Sequence, residues 1–248
     1  MNIADYHIHA SFYRVKRPGS KTGPTVAEQI AAARAAGTVT VGIVEHCNDS
    51  AAHPFHCLEE LGREFFSLDI DRSETFIGVE ADLRHDGSDH CGADGRKKLN
   101  LDYVIGSVHL SPKIIPDVRD YIDEEYIRII NALNNNSNIN IIGHPFGEGI
   151  RYEMNNSIAR WSYSLIPEKY LCEIIAAAKN SGKALEINRC LEDDAAYTAY
   201  LEMMRDAEVF FTVGSDAHFP EGVGDAAERT HLLEKLGFNE KYLWRPDK

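Results

Sequence analysis

Seven short runs of apolar residues, most rich in β-branched side chains, punctuate the chain. They cover 2–8, 38–44 (TVTVGIV), 75–80 (TFIGVE), 102–108 (DYVIGSV), 139–143 (INIIG), 183–188 (KALEIN) and 209–214 (VFFTVG). Each is apolar nearly throughout rather than alternating, which is how strands covered on both faces read. Helical spacing separates them, at 54–67, 117–134, 167–181, 192–206 and 225–236. The first helix has its own signals in TVAEQIAAARAAG. Thr25 stands three residues before Glu28 as a capping box, and Gly37 closes the segment. Pro167 suits a first helical turn and Gly182 a C-terminal stop. Two stretches break the alternation. Residues 81–101 read as an irregular polar excursion, and 145–166 as a long loop with room for a short helix. No repeat, low-complexity linker or domain boundary interrupts the pattern, so the expectation is a single domain over 1–248. Parallel strands joined by helices form either a closed barrel or an open doubly wound sheet, and periodicity does not choose between them.

The residues that end the strands are unusual. The first strand ends in His7 and His9, one residue apart, and side chains at i and i+2 share a strand face. The second is followed by Glu45 and His46, the third ends at Glu80, the fourth leads to His109 and the fifth to His144. Asn188 and Arg189 end the sixth strand, and Asp216 and His218 follow the seventh. A lone buried histidine is usually a hydrogen-bonded core residue. Six of eleven histidines at one end of a parallel sheet, with two carboxylates, are a different matter. Catalytic groups of parallel barrels gather at that end. Imidazole with carboxylate is the ligand set of zinc, manganese and iron. His53, His56, His85, His90 and His231 fall in loops or on helix faces and are read as ordinary surface residues.

Composition narrows the remaining classes. Hydrophobic residues at 44% and charged residues at 26% are ordinary for a globular protein. A net charge of −13 argues against a nucleic-acid partner. The N-terminal residues lack a secretory pattern, no apolar run reaches membrane-spanning length, and five scattered cysteines without a CxxC pair suit a reduced cytoplasm. No GxSxG elbow surrounds Ser107, and no GxGxxG or phosphate-binding P-loop occurs.

DYHIH, VEHCN, GVE, LDYVIGSVH, IIGHP and GSDAH occur in this order between residues 5 and 218. Together they resemble the PHP (polymerase and histidinol phosphatase) family, most of all its stand-alone histidinol-phosphatase branch. The resemblance implies a distorted (β/α)7 barrel with a metal site at the C-terminal ends of the strands. It also implies two or three divalent ions (Zn, Mn or Fe). His7, His9, Glu80 and Asp216 would hold one ion. Glu80 would bridge to a second, held by His109 and His144, and His46 with His218 would help hold a third. The family often supplies another ligand soon after the first histidine pair. Here that stretch is SFYRVKRPGSKTG, without His, Asp or Glu. Either His46 and His218 hold the third ion with waters, or Arg14 and Lys16 replace it electrostatically. Glu45 stands where the family more often has Asp, and is read as an orienter of a neighbouring ligand.

The implied reaction is hydrolysis of a small phosphomonoester by a metal-bridged hydroxide, in line at phosphorus. The substrate would be L-histidinol phosphate, which places the enzyme in histidine biosynthesis. Phosphate also needs cations around its oxygens. Arg189, Arg151, Arg14 and Lys16 are the candidates, because a guanidinium fork meets phosphate bidentately. Asp216 and His218 are the candidates for proton transfer to the leaving alkoxide. Two alternatives stand beside this reading: a phosphoesterase acting on a nucleotide or oligonucleotide end, and a non-catalytic metal-binding module.

Overall fold

The computed structural model describes residues 1–10, 23–48, 55–110, 117–188 and 193–246, apart from the side chains of 55–57. Arg14, Lys16 and Arg189 therefore lie outside the described residues. Parallel strands and helices alternate along the chain. The strands are β1 (Ala4–His9), β2 (Thr40–Val44), β3 (His46–Cys47), β4 (Thr75–Asp82), β5 (Tyr103–Ser107), β6 (Ile141–Ile142), β7 (Ala184–Ile187) and β8 (Phe211–Val213). The helices are α1 (Val26–Ala35), α2 (Phe55–Ser67), α3 (Gly92–Leu99), α4 (Val118–Asn135), α5 (Ile150–Met154), α6 (Glu168–Ser181), α7 (Ala195–Ala207) and α8 (Asp225–Lys235). Sheet order is β1-β2-β4-β5-β6-β7-β8, with β3 continuing β2 beyond Glu45 and pairing β4. The ring closes between β1 and the segment after β8. There the Asp216 amide donates to His7 O at 2.8 Å and the His9 amide to Ala217 O at 2.9 Å. The result is the distorted seven-stranded (β/α)7 barrel that the family resemblance implied, and not the open sheet that the strand pattern alone also allowed.

Helix ends follow the sequence signals. Thr25 and Glu28 form the reciprocal capping box of α1, with the Glu28 amide 3.1 Å from the Thr25 hydroxyl. Gly37 and Gly182 take the left-handed conformation that stops α1 and α6, at φ +84° and +69°. One expectation needs correction. The excursion 81–101 contains α3, which its glycines and charges disguised. Helix α3 holds because Leu99 and Gly95 are buried and Arg96 ties it down, donating to Asn138 O at 3.1 Å and Asp102 O at 2.8 Å.

The strand ladder is shortest where a side chain replaces it. Asn140 precedes β6, and its amide oxygen accepts from the Val104 amide at 3.0 Å while its own amide donates to Val104 O at 3.0 Å. β1 carries an irregularity of direct consequence. Its register against β2 shifts between Asp5 and Ile8, which leaves one extra residue on β1. Such bulges re-aim side chains beside active sites. The Tyr6 carbonyl in the bulge accepts from the buried Tyr103 hydroxyl at 2.6 Å. Gly42 makes that approach feasible, since a Cβ there would sit 2.2 Å from the Tyr103 oxygen and 2.8 Å from Tyr6 Cα. Asp5 Oδ1 accepts the amides of His7 at 3.1 Å and Ser215 at 3.0 Å, stitching β1 to the segment after β8. Among the described residues no helix is long and apolar enough to cross a membrane.

Candidate metal centre

All eight side chains expected to hold metal ions meet in one buried cluster at the C-terminal ends of the strands. Glu80 sits at its centre, fully buried. Its Oε2 lies 3.4 Å from His7 Nε2, 3.5 Å from His9 Nε2 and 2.7 Å from His46 Nδ1. Its Oε1 lies 2.8 Å from His144 Nε2 and 3.2 Å from His109 Nε2. Asp216 Oδ1 is 3.2 Å from His9 Nε2 and 3.7 Å from His7 Nε2. His46 and His218 face each other through their Nε2 atoms at 3.3 Å. Three overlapping donor groups result: His7–His9–Asp216, His46–Glu80–His109 and His9–His46–His218.

The backbone is bent to achieve this. His144 and Asp216 take left-handed conformations, at φ +29° and +57°. Non-glycine residues there carry strain of about 1–3 kcal/mol, which the surrounding structure must hold.

Outer partners set the ring tautomers. A carboxylate only accepts, so an imidazole nitrogen beside one is the N–H donor. His7 Nδ1 donates to Glu186 Oε1 at 2.8 Å, and His109 Nδ1 to Asp82 Oδ1 at 2.7 Å. Glu45 Oε1 stands 3.5 Å from His9 Nδ1. His218 Nδ1 donates to the Asp216 carbonyl at 2.9 Å. In neutral rings the bonds of His7, His109 and His218 leave the lone pair on Nε2, directed into the cluster. His7 Nε2 and His9 Nε2 are 3.1 Å apart, so close that a proton or a cation must lie between them.

The electrostatics give the same picture. Burial works against a charged His7, yet Glu186, Glu80 and Asp216 hold its pKa well above the usual histidine value. His9 rises to about 9 against its burial, through Asp216 and Glu45. Burial also opposes ionisation of Glu80, but His109, His7 and His46 keep it an anion, far below the ordinary carboxylate range. Glu80 Oε2 has no well-aligned hydrogen-bond donor. A largely buried cluster of carboxylates and imidazoles attracts positive charge, and divalent cations fit it by charge, donor type and spacing.

The remaining candidates divide. Arg151, on α5, donates from Nη1 to Leu110 O at 2.9 Å and to Glu148 Oε2 at 2.7 Å, bracing the segment that follows His109. His85 and His231 pair with the surface acids Glu124 and Glu234 at 3.0 and 3.7 Å. Two site residues were not singled out from sequence. Asp82 follows Glu80 at strand spacing and so points to the same face, a readable signal. Glu186 is an acid within the apolar run KALEIN, and a charge inside a buried strand was the clue.

A parallel seven-stranded barrel with a polyhistidine–carboxylate centre is the class that this fold and this site define. No family model matches the chain. Among curated proteins it is similar to a probable phosphatase of Enterobacter sp. (strain 638), 26% identical over 229 residues, 88% of this chain and 82% of the relative. The probable phosphatase YcdX of Escherichia fergusonii is 25% identical over 228 residues, 87% of this chain and 81% of the relative. Among solved structures, histidinol phosphate phosphatase (HISK) from Lactococcus lactis, complexed with Zn, L-histidinol and phosphate, shares the fold. Its TM-score is 0.59 at 20% identity, covering 96% of this chain and 95% of that one.

Proposed function

We propose that the chain is a PHP-type, metal-dependent phosphomonoesterase of the cytoplasm, with one hydrolase domain over its length and a small phosphate ester as substrate. The observation that carries this reading is the set of five imidazoles with a ring nitrogen within 3.5 Å of one buried carboxylate, Glu80, with the His7 and His109 rings fixed from outside by Glu186 and Asp82. The probable phosphatases among its relatives support it. His7, His9, Asp216 and Glu80 would hold one ion, Glu80, His109 and His144 a second, and His46 with His218 would help hold a third. Zinc, manganese or iron suits these donors. Bound there, divalent ions supply Lewis-acid charge for the phosphoryl oxygens and acidify water.

The chain's own residues set how substrate meets that centre. His7, His9 and Glu80 are wholly buried, whereas Asp216, His109 and His218 keep 33%, 24% and 24% of their side chains exposed. Substrate therefore approaches over Asp216, His218 and His109. Both proton-transfer candidates rest deprotonated. Burial opposes ionisation of Asp216, but the charge of His7 and a hydrogen bond from His9 hold its pKa far down. Burial, with His9 and His46, pushes His218 down to about 3. Asp216 and His218 border the exposed side of the cluster and are the candidates to pass a proton to the leaving alkoxide. Arg151, next to the segment after His109 through its bond to Leu110 O, remains the described candidate for phosphate binding.

L-Histidinol phosphate is the first substrate to test. A panel of phosphomonoesters that includes it, a mononucleotide and a phosphorylated oligonucleotide end, assayed with zinc- or manganese-loaded protein, decides. The expected result is turnover of small phosphomonoesters. A fully loaded protein inert towards the whole panel would leave the non-catalytic metal-binding module as the better reading.

A further inference from the structure

Glu186 lies on β7, outside the three donor groups, and is almost fully buried. Both its oxygens are used. Oε1 accepts the His7 ring N–H at 2.8 Å, and Oε2 accepts the His144 backbone N–H at 2.8 Å. His7 and His144 come from opposite regions of the barrel and belong to different proposed metal sets. We propose that Glu186 is a positioning residue that couples the two sets, fixing one ligand by its ring and the other by its backbone.

Three observations carry this beyond an ordinary ligand-orienting bond. The His144 backbone is left-handed at φ +29°, a conformation that non-glycine residues avoid, and its amide is aimed at Glu186. The neighbouring strand is cut away to admit the carboxylate: a Cβ on Gly214 would lie 2.1 Å from Glu186 Oε1 and 2.7 Å from His7 Cβ. Finally, the donor count requires an acid. A carboxylate presents two acceptor oxygens, whereas glutamine presents one oxygen and one NH2 group. In Glu186→Gln one partner must face an NH2. With the oxygen kept on the His144 amide, the NH2 meets His7 Nδ1, which must then accept. The ring proton moves to Nε2, the nitrogen that points at His9 and Glu80, and His7 loses its ligand lone pair. With the amide reversed, His144 loses the bond that holds its turn.

This inference rests on the metal reading, and the test separates the two. Wild type, E186Q, E186D and Gly214→Ala are prepared as full chains, and their folding is checked by far-ultraviolet circular dichroism. Zinc affinity is measured by competition with a chromophoric chelator. The His7 tautomer is read from long-range nitrogen–proton NMR of the ring. E186Q is expected to weaken more than one bound zinc together, about 10- to 100-fold. It should also show an altered His7 or His144 signal set. G214A keeps the charge but displaces the carboxylate, and E186D withdraws it by one methylene. Both are expected to weaken zinc in the same coupled way, and either carries the test should E186Q not fold. Folded variants with wild-type zinc affinities and an unchanged His7 tautomer would overturn the coupling role while leaving the metal centre intact. A wild-type chain that binds no zinc would instead remove the metal reading itself.

Discussion

Replacing Glu80 by glutamine is the perturbation that the geometry makes most informative. The side chain keeps its size and one oxygen but loses its charge. In the protein that charge is shared by five imidazoles, at 2.7 to 3.5 Å from His46, His144, His109, His7 and His9. At an effective dielectric of about 20, unit charges near 4 Å interact by about 4 kcal/mol, hence about 8 kcal/mol for a divalent ion. Taking half of this for relaxation and water entry leaves about 4 kcal/mol, or about a thousandfold in Kd. Because Glu80 stands between the His7–His9–Asp216 and His109–His144 groups, the loss should strike two ions at once. Removing His144 alone should weaken one. The assay is metal content by elemental analysis after dialysis against graded chelator, beside hydrolysis of p-nitrophenyl phosphate. E80Q should lose both ions at chelator concentrations that leave wild type loaded, with kcat/KM lower by about three decades or more. An E80Q protein that keeps its full metal complement under the same dialysis would refute the bridging role.

Three further outcomes are expected. Asp82→Asn removes the acceptor that holds His109 Nδ1 at 2.7 Å, and should cost about 10- to 100-fold in affinity for the ion at His109 and His144 alone, measured by the same chelator competition. Gly42→Ala drives a Cβ to within 2.2 Å of the Tyr103 hydroxyl beneath the β1 bulge. It should destabilise by about 1–3 kcal/mol, or several degrees in Tm by calorimetry, and weaken zinc because His7 lies on that bulge and His9 follows it. Glu125 is buried and accepts from the Phe146 amide, and burial raises its pKa from 4.5 to about 7. The folded state therefore holds its proton more tightly than the unfolded chain. This contribution is fully present below pH 4.5, is lost as pH rises through about 7, and amounts to about 3 kcal/mol. In Glu125→Gln the corresponding fall in urea-unfolding stability between pH 5 and pH 8 should disappear.

Much of the centre was legible because parallel barrels present one end of every strand to one cavity. His7, His9, His46, Glu80, His109, His144, Asp216 and His218 were each read from a strand end, and each stands in the cluster. The exceptions have physical causes. Helix α3 is short, polar and glycine-bearing, and forms through tertiary bonds from Arg96 that no periodicity reveals. The strand at 139–143 reads longer than β6 because the Asn140 side chain replaces a ladder bond. Glu186 acts across the barrel on His7 and His144, 179 and 42 residues away, so only the closed ring shows its partners. The bulge in β1 leaves no mark of its own in ADYHIH; its enabling residue, Gly42, sits in another strand.

The most direct test of the hydrolase reading is turnover of phosphomonoesters by one preparation before metal stripping, after it, and after reloading. The account predicts hydrolysis that vanishes when chelation empties the centre and returns with added zinc or manganese, in step with bound metal per chain. Turnover indifferent to chelation, or a fully reloaded protein that hydrolyses nothing, would contradict it.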